Sequence, residues 1–241
     1  MITLYQFPIS HYCEKVRWAL DYKKINHKTV NLLPGLHVMK TKKLAARSSV
    51  PILVDDDKVI QGSGEIISYL DKDHPENSLT PVDEQLKANA LKWEKYVDKE
   101  IGIHVRRCCY HILLEHPDIV INFFAHQGPW YGKPLLRFMF PKLKTKMRDL
   151  MDINEETAEA SKVALSIAID KIYNHLQEHS FLAGNQFSRA DLAAASLLAP
   201  LRMSEKYGLN WPDKVPAQLE ALSEQFNEKT LWVDELYKNY R

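Results

Sequence analysis

Phe7-Pro-Ile-Ser-His-Tyr-Cys-Glu-Lys-Val-Arg-Trp-Ala-Leu20 is the stretch whose reading decides the fold. Just before it, Ile2 and Leu4 alternate with Thr3 and Tyr5, the two-residue period of a strand. Pro8 ends that strand because proline has no N–H to give to a ladder. Beyond Pro8, Cys13, Val16 and Leu20 recur at three- and four-residue spacing, which is one face of a helix. The stretch is therefore a loop from strand to helix, with Ser10 placed to cap the helix. A helix start also carries free N–H groups and a partial positive charge, both suited to stabilising a thiolate. On these residues alone two readings stand side by side: cap and core, or sulfur chemistry.

The whole chain narrows the choice of function. Its 241 residues suffice for one large domain or two modest ones. Apolar residues make up 45% and the formal net charge is +1, so nothing global draws the chain to nucleic acid or to an acidic membrane. Its three cysteines, Cys13, Cys108 and Cys109, form no disulfide framework, and adjacent Cys108 and Cys109 are poorly placed to bond each other. Met-Ile-Thr-Leu-Tyr opens directly into a strand instead of a basic and then apolar leader. The apolar runs, such as Ala193–Leu201, fall far short of a bilayer span, so stable membrane insertion is not expected. A reducing cytosol is the simplest setting.

Downstream of the first helix, Asn26–Asn31 is a short β-prone segment, followed by a polar, basic loop with an irregular helix over Leu33–Leu44. Ser49-Val-Pro-Ile-Leu-Val54 is an apolar run bounded by Asp55-Asp-Asp57, and Lys58-Val-Ile60 returns across a hairpin turn. Gln61-Gly-Ser-Gly64 then leads into a helix with Ile66, Ile67 and Leu70 on its apolar side and Ser63 as its expected cap. The order is β-α-β, a connection, then β-β-α, which suits a small mixed sheet with helices on its faces. Asp71–Pro81 is the expected linker.

Ser10-x-x-Cys13 after the first strand, Gly35-Leu-His37, Val50-Pro51 opening the third strand, and Ser63-x-x-Ile66 opening the last helix occur in that order. The set resembles the thioredoxin-like N-terminal domain of the cytosolic glutathione transferases. The resemblance implies an α/β domain over residues 1–75 and an all-α domain over 82–241, which walls an electrophile pocket. It also implies a role for each element. Pro51 would be cis, turning the backbone of Val50 to pair with the cysteinyl part of glutathione. Ser63 would take the γ-glutamyl carboxylate at a helix start. His37, with Lys40, would face the glycyl carboxylate, and the bland alternative is a solvated basic face. The family usually carries Glu or Gln where this chain has Gly62. Gln61 is a partial substitute for that side chain, and Gly62 itself permits closer backbone approach.

Ser10 takes the position that handles the glutathione sulfur in the resembled family. A hydroxyl there donates to the thiolate and favours the ionised form. Cys13 falls on the inward face, where cysteine packs well as a small apolar residue. Tyr12 is the weaker competitor for the thiolate contact.

From Val82 onward the chain reads helical. Glu84 to about Ile112 carries Leu86, Ala90, Trp93, Val97 and Ile101 on one face. His104, Cys108 and His111 have ligand-like spacing without a fourth ligand, so no metal is expected. Gln127-Gly-Pro-Trp-Tyr-Gly-Lys-Pro134 breaks regular structure repeatedly, and Pro141–Arg148 is strongly basic. The sequence over 118–150 thus reads as an insertion whose Trp130, Tyr131 and Phe138 would enlarge or cover an apolar site. Ser188-x-x-Asp191 with Phe187 before it has the form of a capping box with a staple. Phe181-Leu-Ala-Gly…Ser-Arg-Ala-Asp191 resembles the signature of the family's buried core helix, a folding device.

The expectation is a glutathione transferase with glutathione as co-substrate, a small apolar electrophile as second substrate, and a homodimeric state implied by the resemblance. Two rivals are a noncatalytic interaction module on the same fold and a thiol transferase acting through Cys13.

Overall fold

Alternation over Ile2–Gln6 buries Ile2, Leu4 and Gln6 and produces strand β1. The computed structural model describes residues 1–241. After β1 come helix α1 (His11–Tyr22), strand β2 (His27–Asn31), helix α2 (His37–Leu44), strands β3 (Ile52–Asp55) and β4 (Lys58–Gln61), and helix α3 (Ser63–Asp73). The sheet runs β2-β1-β3-β4, with β1 parallel to β2 and antiparallel to β3, and β3 antiparallel to β4. Leu4 lies opposite Leu53, both fully buried. The β3–β4 turn places Asp56 at φ 51°, a left-handed position that aspartate tolerates.

The second half is all helical: α4 (Glu84–Val97), a π-helical turn (Asp98–Gly102), α5 (Ile103–Leu113), α6 (Pro117–Phe124), α7 (Gly132–Met151), α8 (Glu155–Glu178), α9 (Arg189–Arg202), α10 (Ala217–Gln225) and α11 (Asn227–Tyr240). Helix α9 is the axis. It is buried on all sides from Arg189 to Ala199, and its alanines let α1, α4 and α11 approach closely. Its capping box is formed: the Asp191 carboxylate accepts from the Ser188 N–H at 3.0 Å, the Ser188 hydroxyl at 2.8 Å and the Leu182 N–H at 2.7 Å. Burial pushes Asp191 up to about 6, which fits a structural carboxylate. Phe187 lies stacked against Tyr240 with ring centroids 4.3 Å apart.

The two halves share charges as well as core. Lys15 Nζ lies 2.8 Å from Glu94 Oε1 and 2.8 Å from Asp98 Oδ1, and Arg189 Nε donates to Glu94 Oε2 at 2.6 Å. Arg189 also reaches the Gly64 carbonyl, the Ser68 hydroxyl and the Thr80 hydroxyl. The Trp18 indole donates to the Tyr240 carbonyl at 2.8 Å.

Three local readings are corrected here. Helix α3 runs on to Asp73, and the connection after it is pinned. Asp71 accepts from Lys23 Nζ, the Leu79 and Thr80 N–H groups and the Thr80 hydroxyl, and Leu79 is buried. Second, the basic run after Pro141 is the middle of α7, a twenty-residue helix that contains Pro141. Leu136, Phe140 and Met147 fall on the inward side of α7, at four- and seven-residue spacing. Trp130 is 91% and Phe138 87% exposed, and Tyr131 is exposed as well, so these aromatics do not line an interior pocket. Third, the long helix after Glu84 is interrupted by the π-helical turn.

Candidate functional site

The sheet topology brings the residues singled out in the sequence to one end. β2 runs parallel to β1, so the segment Leu33–His37 leaves the sheet at the same end as Phe7–Ser10. β3 runs the other way and therefore begins there, with Val50-Pro51 just ahead of Ile52. β4 runs antiparallel to β3 and finishes there, with Gln61 opposite Ile52 and Gly62-Ser63 beyond. Ser10, His37, Val50, Pro51, Gly62 and Ser63 thus converge although they span more than fifty positions.

Ser10 is the N-cap of α1. Its Oγ accepts from the Cys13 N–H at 3.3 Å, and the hydroxyl lies beside the Cys13 thiol while donating to no oxygen of the chain. Cys13 is fully buried, and burial pushes its thiol up, which the Ser10 hydroxyl and the Arg17 charge only partly offset. A thiol held protonated is a poor nucleophile, so the packing reading of Cys13 is the one its surroundings favour. The Tyr12 hydroxyl donates to the Asp98 carbonyl at 2.6 Å. Burial, then the Asp98 charge, raises Tyr12 well above an ordinary phenol.

Val50–Pro51 is a cis peptide bond, and the Pro51 carbonyl accepts from the Gly62 N–H at 3.2 Å. The helix start differs from expectation. Gly62 is the N-cap of α3 and Ser63 its first residue, with no side-chain cap bond. Gly62 sits at φ 111°, backbone that L side chains rarely adopt. A Cβ at Gly62 would lie 2.3 Å from Glu65 Oε2. The Glu65 carboxylate therefore fills the space a side chain at position 62 would claim. Gln61 does not serve as the substitute, because its amide is spent: Nε2 donates to the Arg47 and Ser49 carbonyls, each at 2.7 Å, and Oε1 accepts from the Arg47 N–H. It braces the loop that delivers Val50-Pro51.

His37 opens α2. Its Nδ1 accepts from the Gly35 N–H at 3.1 Å, so the ring proton belongs on Nε2. Its ring meets Phe7 edge-on at 4.8 Å, and burial lowers its basicity, so it is neutral at pH 7. Lys40 instead lies over the Tyr5 ring, 5.4 Å from the centroid.

The helical half adds a second wall. A Cβ at Gly102 would lie 2.3 Å from the Tyr12 hydroxyl, so the start of α5 is pressed on the start of α1. One turn on stands Arg106, whose charge is felt by His11 and Tyr12, and one turn further Tyr110. His11 is buried and pushed down to about 3, by burial first and then by Arg106, so it is neutral. From the other side, α6 and α7 close over the β2–α2 loop. A Cβ at Gly132 would lie 3.1 Å from Leu33 Cδ2, and one at Gly35 would lie 3.8 Å from Met139 Cε. Asn31 Nδ2 reaches the His126 and Gln127 carbonyls, at 3.4 Å each. His104 and Cys108 face α8: His104 Nδ1 lies 3.1 Å from the Ser161 hydroxyl, and the Cys108 thiol points to the Ala158 carbonyl. Sequence reading missed Glu65 and Arg106. Glu65 was legible as an acid three residues after Gly62, whereas Arg106 has no local signal.

Comparison with known proteins bears on the family and the fold. Residues 4–78 match the family model "Glutathione S-transferase, N-terminal domain", and residues 119–234 match "Glutathione S-transferase, C-terminal domain". The segment 118–150 therefore lies almost wholly inside the matched C-terminal domain. The chain is similar to Glutathione S-transferase 1 of Dianthus caryophyllus, 41% identical over 90 residues, 36% of this chain and 41% of that protein. Matches to such curated relatives thus span about two fifths of their length. A probable glutathione S-transferase of Nicotiana tabacum is 24% identical over 202 residues, 80% of this chain and 68% of that protein. Among solved structures, the beta-etherase LigF of Sphingobium sp. strain SYK-6 superposes with a TM-score of 0.62 at 21% identity, covering 97% of this chain and 98% of that one. At that identity the likeness speaks for fold alone. Two family models covering most of the chain, on a thioredoxin-like domain joined to an all-helical one, place it: the chain belongs to the glutathione S-transferase family.

Proposed function

We propose that the chain is a glutathione transferase that ionises the glutathione thiol beside Ser10 and passes the thiolate to a small electrophile in the cleft between the sheet end and α5. The observation that carries this is the Ser10 hydroxyl. It stands at the head of α1, accepts one backbone N–H, and donates to no oxygen of the chain, with only the buried Cys13 thiol beside it. A thiol of pKa ~8.5 in solution becomes mostly thiolate at neutral pH once a donor and a helix start lower that value by ~2 units. The sulfur then forms a bond to the electrophilic carbon while the leaving group departs with its electron pair, or while a conjugated acceptor takes the pair up. Rate enhancement comes from ionisation and proximity.

The rest of the site supports a tripeptide anion. The backbone of Val50 is turned outward for an extended strand-like ligand. Ser63, with a free hydroxyl and unpaired helix-start N–H groups, suits a carboxylate. The neutral His37 offers an Nε2–H to a second carboxylate. Glu65, lying in the space that Gly62 leaves, supplies an acid for the ammonium group. This supplies what the missing Glu or Gln put in doubt and weakens the case for a noncatalytic module. The burial of Cys13 weakens the case for a thiol transferase. No helix is long and apolar enough to cross a membrane. A cytoplasmic homodimer is part of the same reading.

Titration calorimetry with glutathione, followed by mass spectrometry of conjugates from a panel of electrophiles, tests the proposal. Binding in the micromolar to millimolar range and a conjugate are expected. Absence of both binding and conjugate sinks it.

A further inference from the structure

Seven arginines of the chain are buried or half-buried: Arg17, Arg106, Arg107, Arg148, Arg189, Arg202 and Arg241. Six have a carboxylate partner: Glu14, Asp152, Glu115, Glu94, Asp234 and, for Arg241, Glu14 with Asp21. Arg106 has none. It makes no hydrogen bond at all, and its Nε is buried without a partner. Arg106 is half-buried, with its Nε shut off from water and its two terminal nitrogens still reaching solvent, so a protein that pairs its other inward-facing arginines has left this one open to an anion.

Its position gives the exception a meaning. Arg106 lies one turn beyond Gly102, where α5 presses on the Tyr12 ring, and one turn before Tyr110, so it faces the start of α1. His11, the residue after Ser10, is 5% exposed and its Nε2 is likewise buried without a partner. Asp98, whose charge reaches Tyr12 as that of Arg106 does, is held by Lys15 and makes no pair with Arg106. An open guanidinium on α5 and an orphaned imidazole nitrogen at the head of α1 therefore face each other, and the imidazole is next in sequence to Ser10.

We infer that the second substrate carries an anionic group, a carboxylate in the first instance, that docks on Arg106 beside His11 while its electrophilic carbon faces the sulfur. This rests on the transferase reading above and sharpens it from an apolar electrophile to an acidic one. A planar guanidinium takes a carboxylate in two parallel hydrogen bonds, which fixes orientation as well as affinity.

A matched pair of probes tests it: 4-chloro-3-nitrobenzoate and its uncharged analogue 4-chloro-3-nitrobenzamide. In both, the glutathione sulfur bonds to the ring carbon bearing chlorine, chloride leaves with the bonding pair, and the thiol proton passes to solvent. Wild-type protein is expected to favour the benzoate in kcat/KM. Arg106→Gln should lower the benzoate-to-benzamide ratio by about tenfold to a hundredfold, the weight of one charge-assisted pair. Arg106→Lys should restore part of it. An unchanged ratio in Arg106→Gln overturns the inference, as does equal preference in the wild type. Calorimetric binding of the two probes without glutathione gives an independent readout. If benzoate binds Arg106-dependently but glutathione does not bind and no conjugate forms with either probe or with the wider panel, the anion site stands and the transferase reading fails. If the benzamide is conjugated and the benzoate neither binds nor reacts better, the reverse holds. Circular dichroism melting of each variant confirms folding, which is expected because Arg106 holds no other residue in place.

Discussion

The Tyr12 hydroxyl donates to the main-chain carbonyl of Asp98 at 2.6 Å, tying the first turn of α1, just beyond Ser10, to the π-helical turn of the other half. A π turn shifts the backbone pairing of a helix, and here a carbonyl within it takes a side-chain donor from across the domain boundary. The bond also answers which hydroxyl near the sulfur site is free. Tyr12 is engaged and its proton held tightly, whereas Ser10 donates to no oxygen of the chain and has only the Cys13 thiol beside it. Tyr12→Phe is therefore expected to lower stability by about 1–2 kcal/mol, the cost of orphaning a buried carbonyl, while conjugation stays within about twofold. Denaturant melts and steady-state rates measured side by side check this. A loss of activity much larger than the loss of stability would return Tyr12 to the chemistry.

The proposed function gives Ser10 a second duty beside the cap, and substitution can separate the two. Ser10→Ala removes cap and donor together, costing about 1 kcal/mol of stability, whereas Ser10→Gly keeps most of the cap and costs a few tenths. Both should lose roughly a hundredfold or more in kcat/KM, by analogy with a single donor to an oxyanion. In both, the pH at which the rate levels off should move up toward the free thiol value of ~8.5. Thiolate absorbance of bound glutathione reads the same shift directly. If Ser10→Gly keeps its rate, Ser10 is only a cap.

Much of this site was legible in the chain because it depends on local rules. Proline after a strand, serine before an apolar period and a serine three residues before an aspartate each state a backbone geometry. The buried side of α1 and the capping box of α9 followed from spacing alone. Ser63 was misplaced by one position because a glycine at positive φ and a serine are both good helix starts, and only the backbone angle at Gly62 decides between them. Helix α7 was hidden because Gly132, Pro134 and Pro141 read as breakers, although proline near a helix start is well tolerated and packing on Leu33 and Gly35 carries the rest. Arg106 was invisible for a different reason. Nothing local marks a charge as unpaired; that depends on every other element lying around it.

Gly62 should resist replacement. Gly62→Ala forces an L residue toward backbone that glycine occupies freely, at about 1–3 kcal/mol, and pushes the Glu65 carboxylate aside. The glutathione dissociation constant should rise severalfold. Glu65→Ala should weaken binding by a similar factor with little effect on melting, since Glu65 is exposed. Calorimetry on both variants decides. Unaltered binding in Glu65→Ala would show that its carboxylate only fills space.

The charge cluster at Glu94 sets how the protein meets acid. Burial alone would raise its carboxyl, but Lys15 and Arg189 outweigh burial and hold it below the ordinary value of 4.5. With the folded value depressed, the unfolded chain binds the proton first as pH falls. Stability from this group is therefore complete above the unfolded value and is lost as pH drops through the folded one, below about 4.5. Glu94→Gln leaves Lys15 leaning on Asp98 alone and Arg189 with only neutral acceptors, since its other bonds go to Gly64, Ser68 and Thr80. We expect a loss of about 3 kcal/mol at pH 7, toward the lower end for breaking a buried pair because Asp98 remains. The variant should also show a flatter decline between pH 5 and 3, by roughly the share that Glu94 contributed. Urea melts across that range measure both. Because Arg189 also carries the Gly64 carbonyl in the first turn of α3, the same variant should loosen the helix start beside Ser63 and raise the glutathione dissociation constant. A variant that melts earlier yet binds glutathione with wild-type affinity would confine the cluster to holding the two halves together.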